Sequence, residues 1–153
     1  MVTIENMKIN YICVGEGENV LVLHGWGANI DTVMPIVNLL KDHFKVYALD
    51  MPGFGKSDKP DVPFDSQDYS RIVKKFMDLM KIEKATLIGH SFGGKVSILT
   101  AVNHPERVER LVLIDSAGIR PKRSLKYYLR VYSFKTLKLM YKIIFSWNKN
   151  SNK

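Results

Sequence analysis

The sequence predicts an α/β protein in which mostly parallel strands are covered by helices on both faces. Short apolar runs alternate along the chain with segments of helical periodicity, which is the pattern of βαβ units. Runs such as Val20–Leu23 and Ala85–Ile88 are continuously apolar rather than alternating, as expected of strands buried on both sides. The apolar content of 46% is that of an ordinary globular chain.

Each element follows from its own pattern. Met7–Val14 partly alternates, so it is expected to form a half-buried antiparallel strand, entered from Val2–Ile4 through a turn. Buried strands are predicted over Val20–Leu23, Phe44–Leu49, Ala85–Ile88 and Val108–Ile114. Helices are predicted over Thr32–Lys41, from Asp65 or Ser66 to Met80, and over Phe92–Asn103.

A further observation concerns a serine between two of these elements. Residues 89–93 match G-x-S-x-G directly after a predicted buried strand and directly before a predicted helix, the context that the motif requires. The motif residues are Gly89, His90, Ser91, Phe92 and Gly93. Such a turn lifts the serine hydroxyl above the carboxyl edge of the sheet, beside the free N–H groups of a helix N-terminus. The plain alternative is a Gly-rich turn that happens to expose a serine.

The segment His24-Gly25-Trp26-Gly27 ends the predicted strand Val20–Leu23. With the serine motif, it resembles the α/β-hydrolase family, in which an HG-x-G turn after the third strand supplies a second oxyanion donor. The resemblance implies that the backbone N–H groups of Trp26 and Phe92 hold the oxyanion, and one such donor is typically worth about 3 kcal/mol. His24, Gly25 and His90 are expected to support the turns.

Two more segments resemble the same family. Residues 50–58 look like its D-x-P-G-x-G-x-S-D loop, with an expected role in packing and turn formation. Residues 111–118 resemble its sixth strand and the turn into its lid. The resemblance therefore implies a three-layer α/β-hydrolase core. A phosphate-binding loop at Gly55-Lys56-Ser57 is excluded, because that motif needs glycine where Asp50 stands.

A base and an acid for the serine are not found in the sequence. A serine nucleophile needs a histidine within hydrogen-bond reach, oriented by a carboxylate. His43 precedes a strand at the amino edge of the sheet, and His104 ends a helix roughly 18 Å from the elbow. The family places its acid and histidine after later strands, although some relatives place the acid where Asp115 stands. We therefore expect a chain truncated after the sixth strand, with little or no esterase activity alone.

The net charge of +8 belongs to the end of the chain. Residues 1–118 hold 13 Lys/Arg and 15 Asp/Glu, whereas residues 119–153 hold 10 Lys/Arg and no acid. The first segment thus gives no case for a nucleic-acid partner. The second, in isolation, is a basic amphipathic helix suited to an anionic membrane surface. In family order it occupies the place of a helical lid, which is the interpretation favoured here, with residues 1–118 as a partial core.

The sequence gives less information about the cellular compartment and the assembly state than about the fold. The N-terminus lacks the basic start and apolar run of a signal peptide, and a lone Cys13 fits a reducing environment, so a cytoplasmic protein is expected. Val108–Ile114 would be an open sheet edge, which invites self-association.

The leading hypothesis is a serine hydrolase in which Ser91 attacks a small apolar acyl substrate such as a carboxylic ester. No metal or organic cofactor is implied. The motifs do not separate ester hydrolysis from carbon–carbon bond hydrolysis or acyl transfer. Dehalogenase and epoxide-hydrolase relatives place aspartate where this chain has Ser91, which disfavours their chemistry. The alternative is a non-enzymatic function, in which the chain is a non-catalytic fragment or binding module that uses the half-fold as a scaffold.

Overall fold

The computed structural model describes the backbone of residues 1–118 and 124–150, and the side chains of residues 1–118 and 124–141. The strands are β1 (Val2–Ile4), β2 (Met7–Ile9), β3 (Tyr11–Val14), β4 (Asn19–Leu23), β5 (Lys45–Leu49), β6 (Ala85–His90) and β7 (Val108–Ile114). The helices are α1 (Ile30–Leu40), α2 (Ser66–Leu79), α3 (Phe92–Asn103) and α4 (Leu125–Asn150), with a 3-10 turn at Pro105–Arg107.

The chain divides into two compact units, Met1–Ile119 and Arg120–Lys153. The first unit contains every strand together with α1, α2 and α3, and the second contains α4. Among the helices in the described part of the chain, none combines the length and the apolar character needed to cross a bilayer.

The central sheet of the first unit has five strands in the order β3-β5-β4-β6-β7. Strands β5, β4, β6 and β7 are parallel, and β3 pairs antiparallel with β5. This mixed, mostly parallel sheet confirms the predicted fold class. Because all parallel strands point the same way, the carboxyl ends of β4, β5, β6 and β7 meet at one edge.

Two apolar layers cover the sheet, and alternate residues of each strand enter opposite layers. In β4, Val20 and Val22 pack with α1, whereas Leu21 and Leu23 pack with residues of α2 and α3. The α2 side is the larger layer, and its helix is fixed at its start by Asp65, whose carboxylate accepts the N–H groups of residues 67 and 68. The result is the three-layer arrangement expected from the sequence.

One sequence prediction was wrong at the N-terminus. Met7–Val14 is two strands: β2 pairs with β1, and β3 pairs with β5. Asn10 separates them, because its backbone N–H donates to Ser57 Oγ at 2.9 Å and its side-chain amide donates to Asp50 Oδ2 at 2.8 Å. These bonds replace the ladder that a continuous strand would have made.

The burial predicted for Val108–Ile114 was also wrong. Strand β7 is the last of the sheet in the part of the chain that the structure describes, and Leu111, Val112 and Ile114 are 37%, 43% and 38% exposed. Continuous apolar character correctly indicated a strand that needs cover on two faces. However, α3 is the helix of the first unit that packs on it, so much of its surface stays open.

The apolar layer under α2 offers a direct test of the core. Phe76 is fully buried and makes edge contacts with Tyr11 and Tyr47 at centroid distances of 5.3 and 6.1 Å. We expect Phe76→Ala to lower the free energy of unfolding by about 3–5 kcal/mol, because it leaves a cavity. Leu79→Ala, on the exposed side of the same helix, should cost less than about 1 kcal/mol. Urea unfolding of both variants measures this, and equal losses would contradict the packing described.

Candidate active site at the turn after β6

Ser91 stands alone between strand β6 and helix α3, in a tight turn. Its backbone has φ 49° and ψ −110°, a left-handed conformation that is strained for a residue with a side chain. Its N–H donates to the carbonyl oxygen of Ile114 at 3.0 Å, and its own carbonyl oxygen accepts the N–H of Ala117 at 2.9 Å. The turn is thus tied to the end of the neighbouring strand β7, which holds the strained conformation in place.

Two glycines permit this turn. A Cβ at Gly89 would lie 2.5 Å from the carbonyl oxygen of Gly93, inside any real contact distance. A Cβ at Gly93 would overlap the carbonyl oxygen of Leu23 and lie 2.6 Å from that of His24. The start of α3 therefore touches the end of β4 backbone to backbone, which only glycine allows.

The turn after β4 lies directly against Ser91. A Cβ at Gly25 would be 3.5 Å from the Cβ of Ser91, and the ring of the next residue, Trp26, contacts the ring of Phe92 at a centroid distance of 5.1 Å. Within the described residues, the backbone N–H groups of Trp26 and Phe92 donate no hydrogen bond. Two main-chain donors without acceptors in this part of the chain therefore lie at the serine turn. Their role as the oxyanion hole that the sequence analysis expects stays a prediction.

The His24 side chain is fully buried and both of its ring nitrogens are engaged. The N–H of Met51 donates to Nε2 at 3.0 Å, so the ring proton sits on Nδ1, which donates to the carbonyl oxygen of Gly25 at 2.7 Å. Burial lowers the pKa of His24 below its ordinary value and keeps the ring neutral. This histidine therefore orients the Gly25 turn and has no free nitrogen for Ser91.

Asp50 is the buried anion of the site, and sequence reasoning gave it only a packing role. Its carboxylate accepts hydrogen bonds from the N–H of Ile30 at 2.7 Å, the N–H of Lys56 at 2.9 Å and the side chain of Asn10. Because Ile30 is the first residue of α1, the charge also faces a helix N-terminus. Asp50 thereby holds the Ile30 end of the segment that contains Trp26 and ties it to the loop at Lys56. The position of Asp50 directly after a buried strand was the sequence feature from which this structural role could have been predicted.

The remaining histidines do not reach the serine. His43 is exposed before β5, and His104 ends α3 with Nδ1 at 4.0 Å from a Glu106 carboxylate oxygen. His90 is partly buried beside Gly25. Within residues 1–118 and 124–141, no hydrogen bond joins the Ser91 hydroxyl to any side chain. The site as described holds a presented hydroxyl and two donors, but no base.

Asp115 follows β7 with φ 44°, a second left-handed residue beside the serine turn. In the described part of the chain its carboxylate makes no hydrogen bond, so its role as an alternative acid stays a prediction. No group of three or more His, Cys, Asp or Glu side chains among the described residues is arranged to hold a metal ion.

An aromatic depression of about 460 Å³ opens beside the Trp26 turn. Trp26, which is 67% exposed, contacts Phe54 at a centroid distance of 4.9 Å, and Phe64 contacts Tyr69 at 5.6 Å. Three prolines and Val62 complete the apolar wall, and Lys59 and Asp61 also line the depression. The sequence analysis did not find this depression, because Phe54 and Phe64 are brought together by the loop after β5.

The neutral state of His24 predicts a pH dependence of stability. Its pKa is lowered in the folded state from an ordinary value of 6.5, so below about pH 6.5 the unfolded chain binds a proton that the folded chain excludes. The free energy of unfolding should therefore fall as the pH decreases from 6.5. Carboxylates with lowered pKa values, such as Glu5 and Asp78, act in a separate window below about 4.5.

Urea unfolding at a series of pH values between about 7.5 and 5 measures this slope. The His24→Gln variant should lose the slope in that range, whereas His43→Gln, at an exposed histidine, should keep it. A slope that persists without His24 would assign it to another group.

Similar proteins agree with this architecture. The family model described as the alpha/beta hydrolase fold matches residues 18–151. The chain is 40% identical over 112 residues to a 2-hydroxymuconate semialdehyde hydrolase of Pseudomonas sp. (strain CF600), covering 69% of this chain and 38% of that protein. It is 34% identical over 157 residues to a 2-hydroxy-6-oxononadienedioate/2-hydroxy-6-oxononatrienedioate hydrolase of Comamonas testosteroni, covering 90% and 53%.

Among solved structures, the fold is similar to a bacterial membrane phospholipase A, with a TM-score of 0.77, 36% identity, and coverage of 80% of this chain and 41% of that one. The chain thus spans between about a third and a half of the length of the relatives it matches. The family match extends over most of the sequence. The chain belongs to the α/β-hydrolase fold family.

Proposed function

We propose that this chain carries the nucleophile half of a serine hydrolase that acts on a carboxylic ester or a similar acyl substrate. The observation that carries the proposal is the Ser91 turn: a strained serine precedes Phe92 at the N-terminus of α3 and lies against the Gly25–Trp26 turn. In the described residues, the backbone N–H groups of Trp26 and Phe92 have no acceptor. That arrangement suits a nucleophile whose product is an oxyanion, because donors and a helix dipole face the place where negative charge develops.

In the proposed reaction, Ser91 Oγ attacks the acyl carbon and the carbonyl oxygen becomes an oxyanion held by the two N–H groups. Collapse breaks the bond to the leaving alcohol and leaves an acyl group on Ser91, which water then removes. A histidine takes the hydroxyl proton and passes it to the leaving oxygen in enzymes of this kind. None of the histidines described here bonds to Ser91, so the proposal for this chain alone is slow acylation without ordinary turnover.

The aromatic depression supports an apolar or aromatic acyl group. Its wall includes the ring of Trp26, whose backbone N–H is one of the two proposed oxyanion donors, so an acyl chain that leaves the carbonyl carbon has an apolar surface beside it. The similar phospholipase A, by its name, acts on an ester. We infer an ester with an aromatic or branched acyl group as the preferred class.

A second candidate follows from two of the similar proteins. Their names describe hydrolases of 2-hydroxymuconate semialdehyde and of 2-hydroxy-6-oxo-dienedioates, compounds that contain no ester. Hydrolysis of such a keto acid breaks a carbon–carbon bond, and the oxyanion donors described here would serve the ketone equally well. Activity on these compounds in the presence of a complete triad would favour this candidate over an esterase.

Slow acylation by an activated ester tests the proposal. Loss of the base in a serine hydrolase lowers kcat by about 10⁶, and the oxyanion hole and binding retain roughly 10³ to 10⁴ over water. We expect p-nitrophenyl acetate to add one acetyl group to Ser91 during long incubation, with negligible steady turnover. Intact mass and peptide mapping of the chain measure both.

Ser116 supplies the matched control, because it is a serine on the neighbouring turn whose hydroxyl donates to the carbonyl oxygen of Ala117. Ser91→Ala should abolish the adduct, and Ser116→Ala should leave it. An adduct that survives Ser91→Ala, or its absence from the unaltered chain, would favour the non-catalytic scaffold. Ordinary ester turnover that depends on Ser91 would contradict the proposed lack of a base.

A further inference from the structure

Helix α4 is the most cationic part of the chain. Its cations are Lys126, Arg130, Lys135, Lys138, Lys142 and Lys149, and it contains no Asp or Glu. Ion pairs along the helix, which stabilise most charged helical surfaces, cannot form without acids. In a helix of this composition the cations repel one another, so an external anion would stabilise it.

The same helix exposes a broad apolar face. At about 100° per residue, the apolar side chains that fall on one side include those of Leu125, Leu129, Tyr132, Leu139 and Met140, and Thr136 lies among them. Each of these five side chains is more than half exposed, from 57% for Met140 to 77% for Leu125. A contiguous apolar surface of this kind on a helix indicates a contact that covers it.

Cations border this apolar face on both sides. Lys126 and Lys135 each fall roughly 80–100° from its centre, one on either edge. Lys135 Nζ lies 5.9 Å from the centroid of the Tyr132 ring, so its ammonium group stands at the edge of the apolar face. Long cationic side chains in such positions keep the ammonium group at a polar level while the apolar face is buried.

We propose that α4 lies in the interface of an anionic membrane, with Leu129 and Leu139 in the acyl region and Lys126 and Lys135 against lipid phosphates. An anionic lipid surface matches both the apolar face and the flanking cations. Its acyl chains can bury the face, and its phosphate groups lie at the level of the lysines. A nucleic acid would meet only the charges and would leave the leucines in water. This inference does not depend on the proposed chemistry at Ser91.

Vesicle binding by the whole chain tests the electrostatic half. Cosedimentation with vesicles of phosphatidylcholine that contain about one third phosphatidylglycerol should show binding that weakens with salt, and pure phosphatidylcholine should bind far less. Lys126→Gln with Lys135→Gln should weaken binding about 30-fold, since each cation contributes about 1 kcal/mol at such a surface and 1.4 kcal/mol is tenfold.

The matched control removes two exposed lysines from the first unit, Lys8→Gln with Lys41→Gln, and changes the net charge equally. It should leave vesicle binding within about twofold of the unaltered chain, since these lysines do not belong to α4. Equal losses in both double variants would assign the binding to net charge and overturn the proposal.

The apolar half needs its own variants. Leu129→Gln with Leu139→Gln should weaken binding to the anionic vesicles more than tenfold, and Leu129→Met with Leu139→Met should restore it, because apolar area decides the effect. Binding to duplex DNA should not change with either pair.

Three further results would overturn the proposal. The first is equal binding to neutral and anionic vesicles. The second is vesicle binding that Leu129→Gln with Leu139→Gln leaves unchanged. The third is a fall in the free energy of unfolding of the first unit on Leu129→Gln with Leu139→Gln, without a loss of vesicle binding. That result would assign the apolar face to a lid on the hydrolase core.

Discussion

The backbone contact at Gly93 sets the geometry of the candidate site. Helix α3 begins so close to the end of β4 that no side chain fits between them, and this closeness places Ser91 beside the Trp26 turn. A larger separation would move the hydroxyl away from the Trp26 N–H, one of the two proposed oxyanion donors. The strain at Ser91 is offset by hydrogen bonds to the end of β7, so three neighbouring strands contribute to one turn.

A buried polar network holds the other side of the site. Asp50 and His24 are both buried. Asp50 accepts the N–H of Ile30 after the Trp26 segment, and His24 donates to the carbonyl oxygen of Gly25 before Trp26; their other bonds join this segment to the chain at Met51 and Lys56. Buried groups of this kind are tolerated because they are hydrogen-bonded, and removal of a partner leaves a costly unpaired atom. The Trp26 segment, which carries the second proposed oxyanion donor, is therefore positioned by buried side chains, and the neutral ring of His24 is part of that support.

The sequence predicted what depends on local pattern. The bounds of α3, a cap at Asp65 or Ser66 (Asp65 in the structure), the parallel sheet and the serine turn all follow from periodicity, glycine spacing and one motif. It failed where distant residues decide: the partners with which Asn10 interrupts the strand, Asp50 and Ser57, are 40 and 47 residues away. The open faces of β7 and the aromatic depression likewise depend on which elements meet in space.

Substitution of Gly93 tests the close approach most directly. Gly93→Ala places a methyl group against the carbonyl oxygens of Leu23 and His24, so the free energy of unfolding should fall by at least about 2 kcal/mol. Val102→Ala, at a residue of α3 that is 71% exposed, should change it by less than about 0.5 kcal/mol. If urea unfolding gives Gly93→Ala the stability of the unaltered chain, α3 does not touch β4 and the serine turn is not built as described.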